Sequence, residues 1–142
     1  MKEDSEKEAA FELVEHTADV AVRAYGKNLN EIFENAALGM FNVMTDTSSV
    51  KRIGEYRIEV ESADLESLMV DWLSELLYLF DTQDVFLSEF HVDVENHRLT
   101  ASVKGEKMDR KRHPLKSDVK AATYHMLEID EEKGYALVLL DI

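Results

Sequence analysis

Three stretches of the chain gather the side chains that do chemistry. The first is the C-terminal end, where the apolar run Ala136-Leu137-Val138-Leu139-Leu140 stops at Asp141-Ile142. Continuous apolar strands sit inside sheets, with both faces covered. A strand so placed holds the Asp141 carboxylate and the Ile142 α-carboxylate close together, and adjacent anions repel unless a cation or several donors offset them. A hard cation such as Ca²⁺ or Mg²⁺ suits those oxygens. In the alternative reading both carboxylates face water at an ordinary terminus.

The second stretch is His16-Thr17-Ala18-Asp19, a tight connection between two short strand-like runs. A histidine and an aspartate in such a loop line a site in one reading. In the other, Thr17 and Asp19 make local turn bonds and His16 is a surface residue. The third stretch runs from His113-Pro114-Leu115-Lys116 through Asp118-Val119-Lys120 to Thr123-Tyr124-His125. Read as part of a strand, Asp118 and Lys120 share one face, while Val119, Thr123 and His125 share the other. Asp118 and Lys120 then form a polar pair flanking a site, or a surface ion pair of little energetic weight.

These residues need a frame to hold them. Leu29, Ile32, Phe33, Ala36, Ala37, Met40, Phe41 and Met44 follow the spacing of one apolar helix face, with Asn28 at the N-cap position. Leu65, Leu68, Met69, Trp72, Leu73, Leu76, Leu77 and Phe80 repeat it behind Asp64. Trp72 and the helical methionines belong to the core. Tyr56, Ile58 and Val60 alternate with charged residues, as do Phe90, Val92 and Val94, and Asn96-His97 makes a tight turn into a hairpin. Lys104 to Lys116 reads as a basic, irregular stretch, and Val119–Leu127 and Tyr135–Leu140 as strands. The order is β-β-α-β-α-β-β-β-β. That predicts an α+β fold, two main helices packed on a mixed, largely antiparallel sheet. Residues 1–8 read as a flexible acidic lead-in and 9–142 as a single domain.

Composition narrows the chemistry further. The 142 residues include no cysteine, which excludes disulfides, thiolate metal sites and a cysteine nucleophile. Thirty acidic residues against 16 basic ones give a net charge of −14, a surface that repels phosphate backbones and argues against strong direct nucleic-acid binding. No apolar stretch approaches the roughly 20 residues of a membrane span, so a cytoplasmic protein without a membrane partner is expected. There is no Gly-rich phosphate loop, G-x-S-x-G elbow, H-E-x-x-H pair or EF-hand loop. A free-standing metal-dependent phosphoesterase built on His16, Asp19, Asp118 and Asp141 is an alternative. It lacks an evident nucleophile or second-metal ligand set.

Together the segments His16-Thr17-Ala18-Asp19, Asp71-Trp72-Leu73-Ser74-Glu75-Leu76-Leu77, Asp118-Val119-Lys120-Ala121-Ala122-Thr123-Tyr124-His125 and Asp141-Ile142 resemble the archease family. The resemblance spans essentially the whole chain after the lead-in. It implies a small α+β accessory protein, not itself an enzyme, that activates the GTP-dependent RNA ligase of tRNA splicing and RNA repair. It further implies that the protein promotes guanylylation of that ligase and allows repeated turnover. The family's metal ligands map onto Asp19, Asp141 and the Ile142 terminus, with calcium the expected ion and magnesium or manganese acceptable. His16, Asp118, Lys120 and His125 are further functional candidates. A chaperone-like role toward a tRNA cytosine-5 methyltransferase is the alternative that the resemblance offers.

Overall fold

A computed structural model describes residues 10–15 and 19–142. The expected lead-in, and His16, Thr17 and Ala18, lie outside the described residues. Strands β1 (Phe11–Glu15) and β2 (Asp19–Tyr25) precede helix α1 (Leu29–Met44), a single 3₁₀ turn (Thr47–Ser49), strand β3 (Gly54–Glu61) and helix α2 (Leu65–Gln83). Strands β4 (Val85–Glu95), β5 (Arg98–Lys107), β6 (Ala121–Asp130) and β7 (Tyr135–Asp141) complete the order, which is the expected one. The strands form two sheets, β1-β2-β7-β6 and β3-β5-β4, and every pairing among the described residues is antiparallel.

Both helices start where their caps dictate. Asn28 Oδ1 accepts from the Glu31 backbone N–H at 3.0 Å, and Asp64 Oδ1 accepts from that of Ser67 at 2.7 Å. Each bond satisfies a donor that the first helical turn leaves unpaired. α2 ends on Asp84, whose φ of 53° turns the chain directly into β4. Each helix lays its apolar stripe across both sheets: α1 touches β2 and β4, and α2 touches β6 as well as β3, β4 and β5. Trp72 is fully buried where the helices meet. Its indole N–H donates to the Phe33 carbonyl at 3.0 Å, and its ring meets Phe90 edge-on at 6.4 Å.

Two devices finish the smaller sheet. The free margin of β4 is closed by α1, because Glu34 and Asn30 side chains accept from the backbone N–H groups of Val92 and Val94, each at 2.8 Å. Donors that would otherwise invite another strand are thereby satisfied. Opposite it, Gly105 permits a close approach: a Cβ there would fall 1.9 Å from the Phe86 carbonyl oxygen. This is beside the register shift between Leu87 and Glu89. The Asn96-His97 turn has φ of 50° and 62°, the two positive values that a tight type I′ hairpin turn requires.

Some boundaries differ from the periodicity reading. Lys104–Lys107 belong to β5, so the irregular stretch begins later than its composition suggests. β6 begins at Ala121, after Asp118 and Lys120, so those two do not share a strand face. It is broken by a register shift between Thr123 and Glu128, where Met126 adopts φ 56° and Tyr124, His125 and Met126 are exposed. His125 therefore does not lie on one regular face with Val119 and Thr123.

Candidate functional site

β7 is an interior strand, flanked by β2 and β6. Val138 and Leu140 are fully buried and Leu139 is 4% exposed, so the end of this strand is covered on both faces, as its unbroken apolar run predicts. Beyond Leu140 the cover stops. Asp141 is exposed, and Ile142 is half-buried and packs against the core.

Antiparallel register then decides what stands beside Asp141. Asp19, the first residue of β2, is its partner on one side, and Ala121, the first residue of β6, is its partner on the other. Directly opposed residues project from the same face of a sheet, within about 5 Å of each other at Cβ. Two carboxylates accordingly stand side by side, next to a residue too small to screen them. Like charges in that position are destabilising unless compensated. The Lys120 backbone N–H donates to the Asp141 carbonyl at 2.7 Å, which fixes the start of β6 against the end of β7.

Asp19 Oδ1 is buried and has no hydrogen-bond partner among the described residues. A buried carboxylate oxygen without a donor is costly, and a cation would satisfy it. The donor set is all oxygen, the preference of calcium and magnesium. Among the described residues no group of three or more His, Asp or Glu side chains converges, at this margin or elsewhere, so the margin offers two side-chain carboxylates. A divalent cation here would rest on Asp19, Asp141 and the carboxylate of Ile142.

The segment leading to this margin is held by the end of α1. Lys116 and Ser117 backbone N–H groups donate to the Met44 and Val43 carbonyls, each at 3.0 Å, and Lys116 Nζ donates to the Asn42 carbonyl at 2.5 Å. Carbonyls that a helix terminus leaves unpaired are thus satisfied, with a cation at the negative end of the dipole. Asp118 and Lys120 follow, both exposed and on either side of buried Val119. The fold therefore brings Asp19, Lys120, Ala121 and Asp141 to one margin. It sets Asp118 before the strand and His125 in the irregular part of β6, beyond the Thr123–Leu139 pair.

One buried polar cluster joins His113, from the third stretch, to Glu106 and Arg112, whose part in it the sequence does not reveal. Glu106 is 8% exposed and accepts from Arg112 Nη2 at 2.6 Å, from His113 Nε2 at 2.9 Å and from the Lys51 backbone N–H at 2.7 Å. The Arg112 guanidinium foremost, with the other donors, holds its carboxyl down to about 2. His113 is 1% exposed and lies edge-on to Phe86 at 5.5 Å. Its Nδ1 accepts from the Asp109 backbone N–H at 2.9 Å, so Nε2 carries the proton shared with Glu106. The cluster closes the turn after β5. Its sequence signal was the Arg-His pair following an acidic residue six positions earlier, a spacing with no helical or strand meaning.

Fold and margin together define a small α+β protein: two antiparallel sheets bridged by two helices, with a carboxylate pair where an interior strand emerges. That description has relatives. Residues 11–142 match the model of the Archease protein family (MTH1598/TM1083). The chain is 47% identical over 139 residues to the protein archease of Methanosarcina barkeri, covering 93% of this chain and 95% of that one. It is 42% identical over 130 residues to the protein archease of Sulfurisphaera tokodaii, covering 90% and 94%. The solution structure of Methanobacterium thermoautotrophicum protein 1598 superposes with a TM-score of 0.78 at 41% identity, covering 94% of this chain and 99% of that one. The chain belongs to the archease family. No helix among the described residues is long and apolar enough to cross a membrane.

Proposed function

We propose that this protein is an accessory factor, not itself an enzyme, that activates the GTP-dependent RNA ligase of tRNA splicing and RNA repair. It would do so in the cytoplasm, promoting guanylylation of the ligase and its repeated turnover. Membership of the archease family supports this reading. The observation that carries it is the pairing of Asp19 with Asp141, with Asp19 Oδ1 buried and without a hydrogen-bond partner among the described residues.

In this reading Asp19, Asp141 and the Ile142 carboxylate hold a divalent cation, calcium first. Such an ion supplies positive charge where phosphoryl transfer develops negative charge. The chain's own part is positional. β7 holds Asp141 rigid from behind through Leu140, the Lys120 N–H fixes its backbone, and the exposed carboxylate is free to face a partner. Lys120, Asp118, His125 and His16 are candidates for the contacts around that end. The net charge of −14 makes the chain a poor RNA binder and a suitable partner for a basic RNA-processing enzyme, because opposite charge raises the encounter rate.

The test is multiple-turnover joining of tRNA halves by the GTP-dependent ligase, with this protein at substoichiometric amounts. The expected result is a large rise in joined RNA per ligase that Asp141→Ala abolishes. A rise that survives both Asp19→Ala and Asp141→Ala would sink the metal-site mechanism. No rise with the ligase of the same organism would sink the activator reading.

A further inference from the structure

In a chain of net charge −14, six of the 16 lysines and arginines lie between residues 104 and 116. The turn after β5 brings part of that charge to a cavity of about 640 Å³ beside the start of β3. Its lining includes Ile53, Tyr56, Lys107, Met108, Arg110 and Arg112.

The charges around it are not equivalent. Arg112 is engaged, pairing with Glu106 at 2.6 Å and with Asp109 at 3.2 Å, and its one charge offsets only part of those two carboxylates, so the lining as a whole sets three cations against two anions. Lys107 donates to the carbonyl of Gln83, the last residue of α2, at 2.6 Å, a contact that involves no carboxylate. Arg110 is exposed, and among the described residues neither it nor Lys107 makes an ion pair. An unpaired arginine presents a planar fork suited to bidentate contact with a phosphate. The lining also has apolar members, Ile53, Tyr56 and Met108, with Ile53 74% exposed. Cavities of roughly 300–1,000 Å³ hold small organic ligands, and an inorganic anion alone would fill little of this one.

We infer that this cavity binds a phosphate-bearing ligand with a flat ring, of the nucleotide class, its phosphate on Arg110 and Lys107 and its ring against Ile53, Tyr56 and Met108. The site is separate from the carboxylate pair. Two sources supply that chemistry, a free mononucleotide and the 5′-phosphorylated end of an RNA chain.

Titration calorimetry on the full chain without ligase tests the assignment, so failure here leaves the activator reading standing. The probes are adenosine 5′-monophosphate, adenosine, inorganic phosphate, and a short oligoribonucleotide with and without its 5′-phosphate. The monophosphate is expected to saturate, with adenosine and inorganic phosphate each weaker by about tenfold or more. Arg110→Gln should weaken the monophosphate by about tenfold without changing the far-UV circular dichroism, and Lys107→Gln should do the same to a smaller degree. An oligoribonucleotide that binds more tightly than the monophosphate, and only when 5′-phosphorylated, assigns the cavity to an RNA end. One that binds no better assigns it to the free nucleotide. Equal binding of adenosine and its monophosphate, an Arg110→Gln protein that binds as well as the wild type, or no saturation up to about 10 mM overturns the proposal.

Discussion

Asp19 and Asp141 are register partners across β2 and β7, two anions set opposite each other at the point where a buried strand reaches solvent. Sheets ordinarily avoid that juxtaposition, since like charges directly opposite cost a fraction of a kcal/mol up to about 1 kcal/mol. Retaining it makes sense if something cationic belongs between them.

Removing one charge should separate the two roles. Without divalent ions, Asp141→Asn is expected to raise the melting temperature slightly, because the repulsion is relieved. With calcium at neutral pH the wild type should gain several degrees while Asp141→Asn gains nothing. A wild-type melting curve that calcium and chelator leave unmoved would remove the metal from this margin.

Glu106 sets an acid limit. Its carboxyl is held down to about 2 in the folded chain, below its ordinary value of 4.5. A depressed carboxyl contributes stability that is present above the unfolded value and lost as pH falls from 4.5 toward 2. Glu106→Gln should cost on the order of 2 kcal/mol at pH 7 and much less near the bottom of that window. Urea melts at several pH values would read the difference, and an equal loss at every pH would contradict the linkage.

Gly105 should tolerate no side chain. The Phe86 carbonyl oxygen stands 1.9 Å from where a Cβ would sit, and backbone cannot yield as a flexible side chain does. Gly105→Ala is expected to destabilise by about 3 kcal/mol or more, with insoluble expression as the first sign.

Glu34→Ala tests the closure of β4. It would leave the Val92 N–H without its acceptor, at a cost of about 1–3 kcal/mol. The variant should also self-associate more at high concentration, since a bared strand margin templates pairing. Analytical ultracentrifugation showing a monomer at every concentration at which the wild type is one would count against that second effect.

Periodicity was enough for both helices, because Leu29 to Met44 and Leu65 to Phe80 each carry a complete apolar stripe behind a capping residue. The interior position of β7 was legible for a related reason: only a strand covered on both faces has no polar alternation. The division into two sheets was not legible, since strand partners depend on which faces the helices cover. The start of β4 was missed because Val85 to Ser88 are all buried in succession, a pattern shared by strands and helices. At the candidate site, Asp141 announced itself by ending an apolar run. Lys120 contributes a backbone bond that no side-chain type reveals, and Glu106 with His113 is a contact made by a turn.

The place of β7 in its sheet also has a temporal meaning. Residues 135–141 form the middle of the larger sheet, between the early hairpin β1-β2 and the late strand β6. During synthesis β1 and β2 emerge long before the strand that joins them to β6, and the sheet stays in two unconnected parts until that strand leaves the ribosome. Asp141 joins Asp19 only at that closing step. A chain without residues 135–141 lacks both the strand that joins β2 to β6 and the second carboxylate of the pair.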